Sequence, residues 1–158
     1  MIKPQRVFML EAIRLARSAR ERGDYAIGAV IVKEDKIISR GINRVRIDSD
    51  PTNHAEMIAI RNANKFFKNR HLANCVLYST HEPCSMCATA SVYAKLDGII
   101  YGANMEDMRE YALSNPNENW KWRTVDIKAG YIAERGNPRI EIVGPFMREE
   151  CLKLFHSK

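Results

Sequence analysis

Two short segments of this 158-residue chain carry side chains that could do chemistry together: His54-Ala55-Glu56, and Glu82-Pro83-Cys84-Ser85-Met86-Cys87. Cys84 and Cys87 stand three apart where a helix should begin, so both sulfurs project to one side. A helix N-terminus favours negative charge and helps to hold both as thiolates, the form that binds a metal. His54, at the start of another helix, can add a neutral imidazole nitrogen. One histidine and two cysteines make three ligands, a set that suits zinc better than iron. Three protein ligands leave the fourth tetrahedral position to water, and the metal brings that water's pKa down toward about 7. Glu56, two residues from His54, lies near the metal without ligating it. A carboxylate there can take the water's proton, pass it to a substrate nitrogen and then to departing ammonia.

A purely structural zinc is the competing reading. It needs a fourth ligand, for which Cys75, His71, His81 and Cys151 are available, and it gives Glu56 no reason for its position. Ribbon-type sites also present a second close ligand pair, which the chain lacks. Cys75 reads instead as a core thiol on a strand, Cys151 as a helix residue, and His71 and His156 as surface residues. His81, just before the second motif, is a candidate to line the pocket.

The elements that must position these groups follow from periodicity. Phe8, Ala12, Leu15, Ala16 and Ala19 recur at helical spacing, predicting an amphipathic first helix that ends near Gly23. Ile27 to Val32 and Lys36 to Ile42 read as a β-hairpin turning at Glu34-Asp35. His54 to Phe67 is helical, Cys75 to Thr80 a buried strand, and a helix follows with Pro83 in its first turn. Gly98 to Gly102 is a fourth strand, Arg139 to Val143 a fifth, and Phe146 to Phe155 a terminal helix. The segment 103–138, with Tyr111, Trp120 and Trp122, reads either as a lid or binding loop or as one or two helices whose aromatics pack on the core. Strands alternating with helices give an α/β domain, one sheet with helices on its faces.

The length fits a single domain over residues 1–158. Hydrophobic residues are 46% and charged residues 28%, ordinary for a soluble globular chain. No stretch approaches the roughly 20 apolar residues of a membrane span. The run from Val7 to Leu10 is broken at once by Glu11 and Arg14, so it is no secretory leader. A cytoplasmic protein with thiols rather than disulfides is expected. The formal net charge is +6. Much of the excess lies on Arg6, Arg14, Arg17, Arg20 and Arg22, which suits a polyanion such as RNA but reads more simply as a solvated helix face.

H-x-E followed by P-C-x-x-C is the signature of zinc nucleobase deaminases. The chain resembles the cytidine deaminase superfamily, in particular the branch of guanine deaminase, yeast-type cytosine deaminase and bacterial tRNA adenosine deaminase. The likeness runs from the first helix to about Gly102. It rests on Gly28-Ala29-Val30-Ile31-Val32, Gly41-Ile42-Asn43, Asp50-Pro51-Thr52-Asn53-His54-Ala55-Glu56 and Pro83 to Cys87. It implies a three-layer α/β/α fold with a central five-stranded mixed sheet, and a homodimer. It also implies one zinc ion on His54, Cys84 and Cys87, with Glu56 as proton shuttle. Asn43 matches an asparagine that hydrogen-bonds the substrate, the Ala55 backbone lies beside the bound base, and Tyr93 matches an aromatic near the pocket of guanine deaminases.

Two departures bear on the substrate. Ala26, after Tyr25, stands where the branch commonly has proline. The Lys-Thr-Gly-Ala-like stretch that follows the fourth strand in the tRNA enzymes is replaced by Ala103-Asn104-Met105-Glu106-Asp107-Met108. Asp107 is a plausible counterpart of the acidic residue by which guanine deaminases read the purine, and Glu106 is its rival. The expected activity is therefore zinc-dependent hydrolytic deamination of guanine or a related aminopurine. A tRNA adenosine deaminase forming inosine, and a cytosine deaminase, are the alternatives; a non-catalytic zinc module is the remote one.

Overall fold

The structure is a computed structural model that describes residues 1–116 and 124–155. Helix α1 (Arg6–Glu21) leads into the hairpin β1 (Gly28–Lys33) and β2 (Lys36–Ile42). Glu34 and Asp35 both have positive φ, as a two-residue turn matched to the twist of the strands requires. Helix α2 (Ala55–Phe67), β3 (Cys75–His81), α3 (Ser85–Tyr93) and β4 (Gly98–Ala103) follow, then α4 (Met105–Ser114), α5 (Ala129–Glu134), β5 (Glu141–Val143) and α6 (Arg148–Leu152). The five strands form one sheet in the order β2-β1-β3-β4-β5. β1 is antiparallel to β2 and β3, whereas β3, β4 and β5 run parallel. The expected mixed sheet between helices is present.

Strand alternation sorts the sheet into two buried faces. Val30, Val32, Tyr78 and Ile100 pack against α1 and the residues after α6, with Phe8, Met9, Ile13, Leu154 and Phe155 filling that layer. Ala29, Ile31, Leu77 and Ile99 face the other way, against Ala55, Ala59 and Ile60 of α2, Val92 of α3 and Ala133 of α5. The strands are therefore apolar on both sides, as a sheet covered on both faces must be.

One close approach sets the site. A Cβ on Gly41 would lie 2.1 Å from the Ala55 carbonyl oxygen. Only glycine lets the first turn of α2, which begins beside His54, press this near to β2.

Several boundaries differ from the sequence reading. Pro83 stands one residue ahead of the N-cap, Cys84, rather than inside the first turn of α3. The last helix is shorter than Phe146 to Phe155, because Met147 adopts a left-handed conformation and starts it late. Of the segment 103–138, the described residues include two helices, and Tyr111 packs against Phe155 with ring centroids 5.6 Å apart. Trp120, Trp122 and His156 lie outside the described residues.

Candidate metal centre and substrate pocket

His54 and Cys84 occupy the N-cap positions of α2 and α3, yet neither side chain caps its helix. Both turn toward one point. His54 Nδ1 lies 3.6 Å from Cys84 Sγ and 3.7 Å from Cys87 Sγ, and the three donor atoms fall within 4.8 Å of one another. Tetrahedral zinc with bonds of about 2.0 Å to nitrogen and 2.3 Å to sulfur spaces its donors by about 3.5–3.8 Å. The arrangement therefore fits zinc in donor type and in spacing. Among the described residues no other group of three or more histidine, cysteine or carboxylate side chains converges in this way, and no fourth residue joins this one.

The electrostatics suit a cation. Interaction with the Cys87 thiol and the His54 hydrogen bond favour Cys84 as a thiolate, its pKa lowered to about 4. Cys87, beside the Cys84 charge, buried and close to Glu56, is pushed well up. Burial works against a charged His54, but its hydrogen bond to Cys84 and the nearby Glu56 charge keep its pKa above the usual value. A divalent ion would replace the shared proton and relieve the crowding of negative groups.

Glu56, in the first turn of α2, is almost fully buried. Ser79 Oγ donates to its Oε1 at 3.0 Å, and Cys87 Sγ lies 3.7 Å from Oε2. Burial, which disfavours the charged form, raises its pKa, and the Cys84 charge adds to this.

A cavity of about 310 Å³ opens over these groups, at the low end of the range for small-ligand sites. With His54, Glu56 and Cys84 taken as its floor, the lining divides by chain position into a wall of Tyr25, Asn43 and Val45 and a second wall of Met105, Met108 and Thr124. His54, Cys84, Cys87 and Glu56 are thus brought together, and Asn43 lines the same cavity. Ala55 is fully buried at the first position of α2, between the two floor residues. His81 also lines the cavity, buried beside Phe155, and burial lowers its pKa to about 3.

Two expected substrate contacts lie elsewhere. Tyr93 closes α3 at the end away from Cys84 and is 76% exposed. It borders a second, open cavity with Arg70, His71, Lys95 and Arg135. Asp107 does not line the substrate cavity. Its carboxylate accepts from the Asn104 backbone N–H at 2.9 Å, in a capping box on α4, and from Arg148 at 2.6 and 3.0 Å. Burial opposes the charge, but Arg148 and Asn104 hold its pKa below the ordinary value. Its rival Glu106 is ion-paired with Lys128.

Sequence reasoning passed over three polar groups. Ser79, which holds Glu56, sits on a strand and reads as a core residue. Asp24, which bonds Asn43 Nδ2 at 2.7 Å, reads as part of the turn after α1. Glu82 lies inside a quoted motif, where no role was assigned; it accepts from the N–H groups of Met105 at 3.0 Å and Ala129 at 3.1 Å, joining α4 and α5 to the metal loop.

Residues 2–103 match the family model of the cytidine and deoxycytidylate deaminase zinc-binding region. A tRNA-specific adenosine deaminase of Buchnera aphidicola (subsp. Baizongia pistaciae) is 32% identical over 150 residues, covering 95% of this chain and 85% of that protein. Among solved structures, a chain from work on A-to-I editing by tRNA:A34 deaminases is 43% identical. That match has a TM-score of 0.61 over 62% of this chain and 75% of the other. The guanine deaminase of Bacillus subtilis is 33% identical with a TM-score of 0.65, over 79% of this chain and 87% of the other.

A five-stranded sheet that brings one histidine, two cysteines and a buried glutamate to the floor of a base-sized cavity defines a zinc-dependent deaminase of nucleobases or nucleosides. The chain belongs to the cytidine and deoxycytidylate deaminase zinc-binding family.

Proposed function

We propose that this enzyme deaminates adenosine to inosine in a tRNA. The observation that carries the reading is the match to the Buchnera tRNA-specific adenosine deaminase, which runs almost the whole length of both chains. The sequence alone favours guanine through the departure from the Lys-Thr-Gly-Ala-like stretch and through Asp107. The second support weakens once Asp107 is engaged by Arg148 and Asn104 outside the cavity. The net positive charge suits a polyanionic substrate. Guanine remains the second reading, supported by the 33% identity to the Bacillus subtilis enzyme.

His54, Cys84 and Cys87 would hold the zinc, which when bound would acidify the attacking water. The chain's own groups do the rest. Glu56 takes a proton from the attacking water, donates it to the ring nitrogen beside that carbon, and carries the second to the amine. Water's oxygen bonds to C6, the C6–N6 bond breaks, and ammonia leaves inosine behind. Ser79 keeps Glu56 aimed at the floor, while Asn43 and the Ala55 backbone orient the base. Met105 and Met108 cover it and exclude bulk water.

A cytoplasmic homodimer fits this role. Phe66, Tyr93 and Tyr131, exposed on α2, α3 and α5 of one face, are the apolar groups a second copy would cover. A dimer mass in light scattering, reduced by Tyr93→Glu, supports that arrangement; a monomer at micromolar concentration refutes it.

The deciding assay is ammonia release by zinc-loaded protein from unmodified tRNA, adenosine, guanine, adenine and cytosine, with Glu56→Ala as control. Release from tRNA, falling steeply with salt, supports the proposal. Release from guanine alone, insensitive to salt, overturns it for the second reading.

A further inference from the structure

Asp24 is a buried carboxylate between α1 and β1, only 6% exposed, and the chemistry above makes no use of it. All four of its assigned hydrogen bonds go to the Asn43 side of the pocket. Oδ1 accepts from the Tyr25 backbone N–H at 2.8 Å and from Asn43 Nδ2 at 2.7 Å. Oδ2 accepts from the backbone N–H groups of Arg46 at 2.8 Å and Ile47 at 2.9 Å. One carboxylate thus ties Tyr25, the end of β2 and the turn after Val45 into a single wall.

A carboxylate offers only acceptors, so the amide of Asn43 must turn its NH₂ toward Asp24. Asn43 is itself 2% exposed, and its backbone N–H is given to the Ile27 carbonyl at 3.1 Å. Among the described residues no group donates to Asn43 Oδ1, and Asn43 lines the substrate cavity. That oxygen and the second Nδ2–H, the first being given to Asp24, are the groups left for a ligand.

We propose that Asp24 is a positioning residue that fixes the polarity of Asn43. Through it Asn43 keeps its oxygen and its second N–H in one fixed orientation for the substrate. The substrate class that fits offers a matching donor to that oxygen, such as a sugar hydroxyl. The inference rests on this cavity being the deaminase site and not on tRNA being the substrate.

Asp24→Asn is nearly isosteric and inverts the arrangement. Its remaining oxygen serves the turn, and its NH₂ faces Asn43 and deprives the Tyr25 N–H of its acceptor. Asn43 must then turn its oxygen toward residue 24 and its NH₂ into the cavity. The test is a double-mutant cycle of Asp24→Asn and Asn43→Ala in zinc-loaded protein, on whichever substrate the wild type turns over fastest. Zinc content and thermal midpoint are measured alongside. Asp24→Asn should raise KM by about tenfold or more with kcat within about threefold and zinc fully bound. On the Asn43→Ala background it should cost less than about twofold further, because the two act as one unit.

The same proportional loss on both backgrounds, or wild-type KM in Asp24→Asn, overturns the proposal. A readout free of activity and of the Asp24 variant is the Asn43 side-chain amide in ¹⁵N NMR, assigned by its loss in Asn43→Ala. Its protons should exchange slowly with solvent, and exchange as fast as that of exposed asparagines overturns the orientation. Turnover of a free base but not of tRNA would defeat the substrate reading alone, and the cycle would then be run on that base.

Discussion

The floor of the substrate cavity and the wall that carries Met105 are positioned by different means. The floor is written in neighbours close in sequence: His54 and Cys84 open their helices, Glu56 stands two residues after His54, and Cys87 three after Cys84. The Met105 wall depends on distant contacts. Met105 and Met108 are presented by α4, whose first N–H is taken by Glu82 and whose Asp107 is taken by Arg148, 41 residues away. On the proposed mechanism the floor carries the reaction and the Met105 wall shapes what enters. Chemistry written in local spacing survives the reading of a sequence alone, whereas selectivity written in tertiary contacts does not.

The largest effects should come from the floor. Dialysis against a zinc chelator should abolish ammonia release, and zinc should restore it, because without the ion nothing activates the attacking water. Substituting Cys87 by alanine should make the loss permanent, read as zinc content below one per chain by atomic absorption. Next in size is Glu56→Gln. It keeps the volume and an acceptor for Ser79 but cannot accept water's proton. Zinc should remain bound while kcat falls by about 10²- to 10⁴-fold. A Glu56→Gln enzyme within tenfold of wild type would mean that the proton travels by another route.

The same contrast explains what was legible beforehand. Strand β2 runs over the same residues, Lys36–Ile42, that alternation and the flanking turn picked out, and α2 differs by one residue. The zinc ligands were readable because helix starts, a proline and a three-residue spacing are local signals. Asp107 was misleading because its chain position beside β4 suggested the pocket. Its actual partner, Arg148, is set by how α6 packs on β4, and no spacing rule encodes that. Tyr93 shows the same limit. It lies on the helix that carries Cys87, but nine residues from Cys84 the helix has carried it to the far end and out to solvent. Asp24 and Ser79 were missed because each acts through another side chain, and a lone acid in a turn or a serine in a strand has no distinctive pattern.

The Met105 wall should respond more mildly and in a different kinetic parameter. In Glu82→Gln the side chain retains one acceptor in place of two. Either the Met105 or the Ala129 N–H then loses its partner, and both bonds are buried. The cost to stability is about 1–3 kcal/mol, read as a lower denaturant midpoint. With α4 and α5 less firmly joined to the metal loop, KM should rise more than kcat falls. A fall in kcat with KM unchanged would mean that Glu82 supports the floor, and would erase the distinction between floor and wall.

The smallest effect, and the sharpest test of the distinction, concerns Asp107 and Arg148. If Asp107 served as a substrate reader, Asp107→Asn would cost orders of magnitude in kcat/KM, and Arg148→Ala would free the carboxylate to act. The geometry points the other way. Both carboxylate oxygens are already occupied, by a guanidinium 41% exposed and by a backbone N–H in a helix cap. Exposure of Arg148 leaves the ion pair screened and weak, and the cap contributes about 0.5–1 kcal/mol. Asp107→Asn retains an oxygen for the cap, so its stability loss should be about 1 kcal/mol or less and its kcat/KM should stay within about fivefold of wild type. Arg148→Ala should cost about the same, and the double variant little more than either, because both remove one contact. A hundredfold activity loss in Asp107→Asn with stability intact would instead bring the acid into the pocket during catalysis. It would return guanine to the head of the candidate substrates, and α4 would then have to move by more than its tie to α6 allows.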